Sequence, residues 1–70
     1  MTERTAFYRS LGGWIVAKRR ALRLSQASLG EVFGVGGDAV SRWENGRVAI
    51  DAYVPHAMKQ MLREKGLPTK

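Results

Sequence analysis

The sequence contains no cysteine, and histidine, proline and acidic residues are few. Without a thiolate there can be neither a disulfide framework nor a cysteine zinc site. The single histidine, His56, and the six scattered carboxylates do not assemble into a metal site or a catalytic triad. No apolar run approaches the roughly 20 residues of a membrane span, and the region of Met1 lacks a signal-peptide pattern. We therefore expect a cytoplasmic protein that is not an enzyme and binds no metal or other cofactor.

Positive charge is what the sequence has in excess. Twelve Lys and Arg residues against six Asp and Glu give a formal net charge of +6 in a chain of 70 residues. Such a surface attracts polyanions, nucleic acid among them, although excess charge can also serve solubility alone. The length allows one domain with one small core, so stability must come from helix packing, with or without a second subunit.

The first half of the chain predicts a long amphipathic helix. From Ser10 onward Leu11, Ile15 and Leu22 recur at three-to-four spacing, which is the apolar stripe of a helix. Residues 1–9 show no strong period, so they are expected to form a loose arm or one extra turn.

The end of the chain predicts a last helix and a tail. Pro55 has no amide to donate in a helix interior, so the regular part of this helix is expected to start near Val54. Residues 66–70 are expected to be a tail beyond the ordered part. No strand-like alternation of useful length occurs, and the predicted class is all-α, a compact bundle of four or five short helices.

The most informative segment, residues 26–45, contains two short helices joined by a glycine-rich turn. Ser25 is a good N-cap for the first helix, and the second runs from about Gly37 to Glu44. In a helix-turn-helix the first helix needs a small residue where the second crosses it, here Gly30, and the turn needs a residue that tolerates left-handed geometry, here Gly34. The segment therefore predicts a helix-turn-helix. The apolar residues that would close its helices together are Leu29, Phe33, Val35, Val40 and Trp43.

The elements Leu-Ser-Gln, Gly-Val, Ser-Arg-Trp-Glu and Asn-Gly follow one another in this order. Because residues 15–62 contain these elements in this order, this segment resembles the Xre/Cro family of phage and bacterial repressors. The resemblance implies a lambda-repressor-like fold with residues 10–65 as the DNA-binding domain, and a salt bridge between Arg19 and Glu44. The sequence departs from the family at Gly30, where alanine is usual. The matching positions are Arg19, Leu24, Ser25, Gln26, Leu29, Gly34, Val35, Val40, Trp43, Glu44 and Gly46.

The run Gly-Gly-Asp-Ala-Val-Ser-Arg-Trp-Glu, residues 36–44, also resembles the DNA-binding half of the MqsA type of antitoxin. In that family an asparagine and an arginine at the positions of Asp38 and Arg42 face the bases. The resemblance implies base contacts here, with a different preference at Asp38. The Xre/Cro family more often has polar residues at Gly36 and Gly37, which leaves the start of the reading helix open by a residue or two.

Arg42 has the clearest chemical reason to read a base. It lies on the face opposite Val40 and Trp43, and a guanidinium can bind guanine O6 and N7 with two hydrogen bonds. It can instead contact a phosphate or pair with Asp38 one turn away. Asp38 can accept from cytosine N4 or adenine N6, or it can cap its own helix. Ser41 and Gly37 can each contact DNA or can be surface residues without a binding role. The candidate base contacts are Gly37, Asp38, Ser41 and Arg42.

Candidate phosphate contacts surround the reading helix. Gln26 begins the first motif helix, where its side chain and the free amides of the helix end can hold a phosphate. Phosphate contacts fix the register on DNA without reading its sequence. The full set of candidates is Lys18, Arg20, Gln26, Gly36, Asn45 and Arg47.

A single small domain makes few base contacts, so specific binding generally needs two half-sites about 34 Å apart. We therefore expect an autoregulatory repressor of phage or mobile-element type, which binds a palindromic operator in double-stranded DNA as a homodimer through the major groove. The candidate dimer interface is Ile50, Tyr53, Val54, Met58 and Met61, with Phe7 and Tyr8 beside them, unless these residues complete the monomer core.

The alternative is an antitoxin-like protein that binds and neutralises a partner protein and regulates its own operon as a second task. The short length argues against it, because no long extra segment remains to wrap a toxin.

Overall fold

The computed structural model describes residues 2–70, so Met1, where the predicted N-terminal arm begins, lies outside it. Over these residues the chain forms helices and no strands, as the sequence predicts for an all-α protein. None of the described helices combines the length and the apolar character that crossing a bilayer requires. The four helices are α1 (Glu3–Ala21), α2 (Gln26–Phe33), α3 (Gly37–Glu44) and α4 (Tyr53–Glu64).

Helix α1 begins at Glu3, well before the start near Ser10 that the apolar spacing predicts. Thr2 caps it, because the Thr2 hydroxyl accepts a hydrogen bond from the Thr5 amide at 3.2 Å. The expectation of a loose arm or one extra turn over residues 1–9 is therefore wrong for the part that the structure describes. A cap sets the start of this helix, and a search for apolar periodicity does not detect caps.

The core joins apolar side chains from all four helices and from the loop before α4. Of the residues predicted for a dimer interface, Ile50, Val54 and Met58 are at most 6 % exposed and belong to this core, so their assignment to an interface is wrong. They cover the side of the core that α1, α2 and α3 leave open. Tyr53 is 65 % exposed and Met61 is half-buried, so both stay interface candidates. The buried core residues are Ile15, Leu22, Leu29, Val40, Ile50, Val54, Met58 and Leu62.

The connection between α2 and α3 is a tight turn made by residues 34–36. Gly34 ends α2 with a left-handed φ of 70°, as the sequence predicts. A Cβ on Gly30 would lie 2.6 Å from the carbonyl oxygen of Val35, so the backbone of the turn, rather than α3 itself, fills the space beside this glycine. Even alanine would not fit there without a shift of the turn. This is the physical reason for glycine at this position.

Helix α1 crosses the C-terminal end of α3 at Gly12. A Cβ on Gly12 would lie 2.5 Å from the carbonyl oxygen of Trp43 and 2.7 Å from that of Glu44. Gly13, the next residue, faces open space, since none of the described atoms lies within 4 Å of a Cβ built there. The absence of a side chain at Gly12 therefore brings the end of α3 against α1.

Alanine at these two neighbouring positions is expected to have opposite effects on the free energy of unfolding. Gly13→Ala should stabilise the protein by about 0.5–1 kcal/mol, because alanine favours a helix and displaces nothing. Gly12→Ala should destabilise it by roughly 1–3 kcal/mol, because two backbone carbonyls must move. Urea unfolding of both variants beside the wild type measures the difference. Equal effects at the two positions would contradict the close crossing.

Helix α4 and the chain after it return to α1. α4 begins at Tyr53, whose amide donates to the Asp51 carboxylate at 2.8 Å, and Pro55 lies in the first turn, where a missing amide costs little. Beyond α4, the indole Nε1 of Trp14 donates to the carbonyl oxygen of Thr69 at 3.2 Å. The expected C-terminal tail is therefore hydrogen-bonded to α1 rather than left beyond the ordered part.

Candidate nucleic-acid interface

Helix α3 has one face in the core and one face in solvent. Val40 is fully buried, and the Trp43 ring packs edge-on against Phe33 of α2 with the ring centroids 5.7 Å apart. On the other face the side chains of Asp38 and Arg42 are 80 % and 57 % exposed. A helix of eight residues is unstable alone, so α3 depends on these packing contacts for its position.

Asp38 and Arg42 form an ion pair across one turn of α3. Arg42 Nη2 donates to Asp38 Oδ2 at 3.1 Å, which is one of the two alternatives to base reading that the sequence leaves open. The Asp38 carboxylate lies in the first turn of α3, where negative charge complements the helix dipole. An exposed pair of this kind contributes about 0–1 kcal/mol, so a binding partner can replace it at little cost. In the free protein the Asp38 carboxylate orients the guanidinium of Arg42.

Glu44, at the C-terminal end of α3, connects this helix to α1 and α2. Arg19 Nε donates to Glu44 Oε2 at 2.5 Å and Arg19 Nη2 to Oε1 at 3.4 Å, which confirms the predicted salt bridge. Gln26 Nε2 donates to Glu44 Oε1 at 2.8 Å, and Arg19 Nη1 donates to the carbonyl oxygen of Leu24 at 3.0 Å. The side chains of Arg19 and Glu44 are only 13 % and 7 % exposed. The end of α3 is therefore fixed by a hydrogen-bonded, largely desolvated ion pair.

Two of the predicted phosphate contacts use their side-chain amides in intramolecular hydrogen bonds. Gln26 donates to Glu44, a bond that joins residues far apart in the sequence and that local pattern does not reveal. Asn45 Nδ2 donates to the carbonyl oxygen of Ser41 at 2.8 Å and so closes the last turn of α3. Each amide nitrogen keeps a second hydrogen, so Gln26 and Asn45 stay candidate phosphate contacts.

The glycines at the start of α3 have different surroundings. Gly37 packs on the first turn of α2, since a Cβ there would lie 3.1 Å from the amide nitrogen of Ala27. Gly36 is the exposed N-cap of α3. Ser41 is half-buried beside them on the helix. The structure thus gives Gly37 a packing role that the sequence did not indicate, and DNA contacts at all three positions stay predictions.

The predicted phosphate-binding cations lie at two places in the fold. Arg47 is exposed directly after α3, and its amide donates to the carbonyl oxygen of Arg42 at 3.2 Å, so the loop stays close to the last turn of α3. Lys18 and Arg20 lie in the last turn of α1, where positive charge also complements the helix dipole. Arg47 is therefore the cation whose position is tied to α3 by a backbone hydrogen bond.

Every buried side-chain nitrogen and oxygen of the described residues has a hydrogen-bond partner. Within residues 2–70 no three His, Cys, Asp or Glu residues are grouped as a metal site would need. Comparisons of the chain with protein-family models, curated proteins and solved structures found no match. The resemblance to the Xre/Cro and MqsA types therefore rests on the sequence motifs alone and stays a prediction.

Proposed function

We propose that this protein is a sequence-specific regulator of transcription that binds double-stranded DNA through a helix-turn-helix formed by α2 and α3. The observation that carries the proposal is the outward face of α3, where Asp38 and Arg42 are exposed on a helix whose opposite face packs against the rest of the protein. Val40 fixes its inner face in the core, and Glu44 ties its end to Arg19 and Gln26. An α-helix with its side chains is about 10–12 Å wide, which matches the major groove of B-DNA at about 12 Å.

The charge of the chain supports the same partner. A formal net charge of +6 attracts any duplex by releasing counterions from its phosphates, without regard to sequence. Choice among sequences then needs groups that reach base edges. Arg42 is suited to this task because its guanidinium is exposed, oriented by Asp38, and able to bind guanine O6 and N7 together.

We further propose that the protein acts as a homodimeric repressor of its own operon, in the cytoplasm of a bacterial or phage-infected cell. Two reading helices on an inverted repeat double the base contacts that one small domain can make. Because Ile50, Val54 and Met58 are buried in the monomer core, the interface must draw on other side chains. Of those predicted, exposed Tyr53 and half-buried Met61, both on α4, are accessible for it.

Footprinting on the DNA upstream of the protein's own operon tests the proposal. The wild type is expected to protect one defined site with two half-sites about 10 base pairs, roughly 34 Å, apart. Arg42→Ala, assayed at the same salt concentration, should lose this protection at concentrations where the wild type gives it. The matched control is Arg63→Ala, which removes an equal charge from the exposed last turn of α4 and should keep the footprint. A wild-type protein that protects no defined site would overturn the repressor function.

A further inference from the structure

A groove of about 300 Å³ lies between the first turns of α1 and the loop of residues 46–49. Its polar lining comes from Arg4, Thr5, Tyr8 and Arg47, and we call it the Arg4–Arg47 groove. The groove exists because α1 extends to Glu3, two turns beyond the start that the sequence pattern predicts.

The position of this groove is fixed relative to α3 by two backbone contacts. Gly46 has a left-handed φ of 66°, and a Cβ on it would lie 2.9 Å from the Cα of Arg9, so the loop lies directly against α1. The amide of Arg47 donates to the carbonyl oxygen of Arg42, which keeps the same loop against the last turn of α3. The groove therefore begins where the candidate reading helix ends.

The charge in this groove is not explained by the stability of the fold. Neither Arg4 nor Arg47 forms an ion pair with any acidic residue in the described chain, since the salt bridges there join Arg19 to Glu44 and Arg42 to Asp38. Arg4 lies in the first turn of α1, where positive charge opposes the helix dipole. Arg4 from α1 and Arg47 from the loop, both without an acidic partner, line the same groove together with Tyr8, and this set of side chains suits an oxyanion.

We propose that the Arg4–Arg47 groove holds a phosphate of the DNA backbone next to the half-site that α3 reads. The inference rests on the proposed function and adds a second contact surface to it. α1 crosses α3 at Gly12, and Arg4 lies about 12 Å further along the helix axis. Each DNA strand carries one phosphate for about every 3.4 Å of duplex, so a strand that runs from α3 along α1 offers about three phosphates over this distance. The N-terminal turns of α1 thereby lengthen the footprint on DNA.

The test uses a 30-base-pair duplex of mixed sequence, because a phosphate contact does not depend on the operator. Binding is measured by fluorescence anisotropy over a series of KCl concentrations for the wild type, Arg4→Gln and Arg63→Gln. Arg63→Gln removes the same charge from the far end of α4. Arg4→Gln is expected to weaken binding roughly two- to fivefold at low salt and to flatten the slope of log K against log salt by about 0.9. Arg63→Gln should leave the slope at the wild-type value.

A second variant distinguishes a specific phosphate contact in the groove from non-specific electrostatic attraction to DNA. Tyr8→Phe removes only a neutral hydroxyl, so it should weaken duplex binding without changing the salt slope. Circular dichroism of each variant shows whether α1 has kept its helical content. Competition by inorganic phosphate at matched ionic strength that Arg4→Gln abolishes would support the proposal, because it requires the free anion and the duplex to occupy the same groove.

The outcomes distinguish this inference from the proposed function. Equal salt slopes for folded Arg4→Gln and Arg63→Gln, in a protein that still prefers one DNA sequence, overturn the inference and leave the function standing. A flattened slope in a protein without sequence preference supports the groove and overturns the sequence-specific function. A wild type that binds no duplex at all overturns both.

Discussion

Arg42→Ala is expected to reduce strongly the preference of the protein for its operator while leaving the fold and the general affinity for duplex DNA nearly unchanged. The side chain is 57 % exposed and its only partner in the described chain is the exposed carboxylate of Asp38, so its removal should change the free energy of unfolding by less than about 0.5 kcal/mol. A lost bidentate contact with guanine costs about 1–3 kcal/mol of discrimination, roughly a 5- to 150-fold change.

The measurement is the ratio of the dissociation constants for the operator and for a mixed-sequence duplex at one salt concentration. Arg42→Ala should lower the preference for the operator that this ratio expresses by roughly 5- to 150-fold for each half-site. Arg42→Lys is the informative companion, because lysine keeps the charge but lacks the planar fork that binds two acceptors. It should retain affinity for any duplex and lose most of the discrimination. A folded Arg42→Ala protein with the wild-type ratio would show that another residue reads the bases.

Arg19→Ala is expected to have the largest effect on stability, a loss of roughly 3–5 kcal/mol. The substitution leaves the carboxylate of Glu44, only 7 % exposed, without its cation at the end of α3 where the helix dipole disfavours negative charge. It also removes a donor from the carbonyl oxygen of Leu24. A domain of this size has only about 4–10 kcal/mol of stability in total, so the variant should be close to unfolding at room temperature.

Urea unfolding followed by circular dichroism measures this loss, with Arg20→Ala as the control. Arg20 is exposed on the same turn of α1, and its removal should cost less than about 0.5 kcal/mol. The double variant Arg19→Met with Glu44→Leu should recover much of the lost stability, because replacing both members of a desolvated pair removes the unpaired charge. If Arg19→Ala unfolds at the same urea concentration as Arg20→Ala, the pair does not hold α3 in place.

The two variants also separate a reading role from a structural one. Loss of DNA binding in Arg19→Ala would follow from the release of α3, and restoring the fold through the double variant should restore binding. Loss of discrimination in Arg42→Ala would occur in a folded protein. Helix α3 thus has residues that hold it in place and other residues that it presents to solvent.

Local signals in the sequence were sufficient for α2, the turn and α3. The hydroxyl of Ser25 caps α2 by accepting from the Ser28 amide at 3.0 Å, and Gly34 ends the helix with a positive φ, because both effects depend only on neighbouring residues. The sequence predicted α3 from about Gly37 to Glu44 with its start open by a residue or two, and the structure has the helix at these residues. The pair of Arg19 with Glu44 was predicted through the family resemblance and not from spacing.

Packing between residues far apart in the sequence could not be predicted from these local signals. An apolar stripe has the same spacing whether it faces a core or another subunit, which is why Ile50, Val54 and Met58 were assigned to an interface. The crossing at Gly12 depends on the backbone of a helix more than 30 residues away in the chain. The Arg4–Arg47 groove likewise joins two segments that only the fold brings together.

Selection from a library of random duplexes with the purified wild-type protein is the most direct test of sequence-specific DNA binding, because it needs no knowledge of the regulated genes. We expect enrichment of an inverted repeat with a G·C pair at a fixed position in each half-site, and Arg42→Ala should lose the preference at that position. Enrichment of no sequence over the starting library, by a protein shown to be folded, would contradict sequence-specific binding.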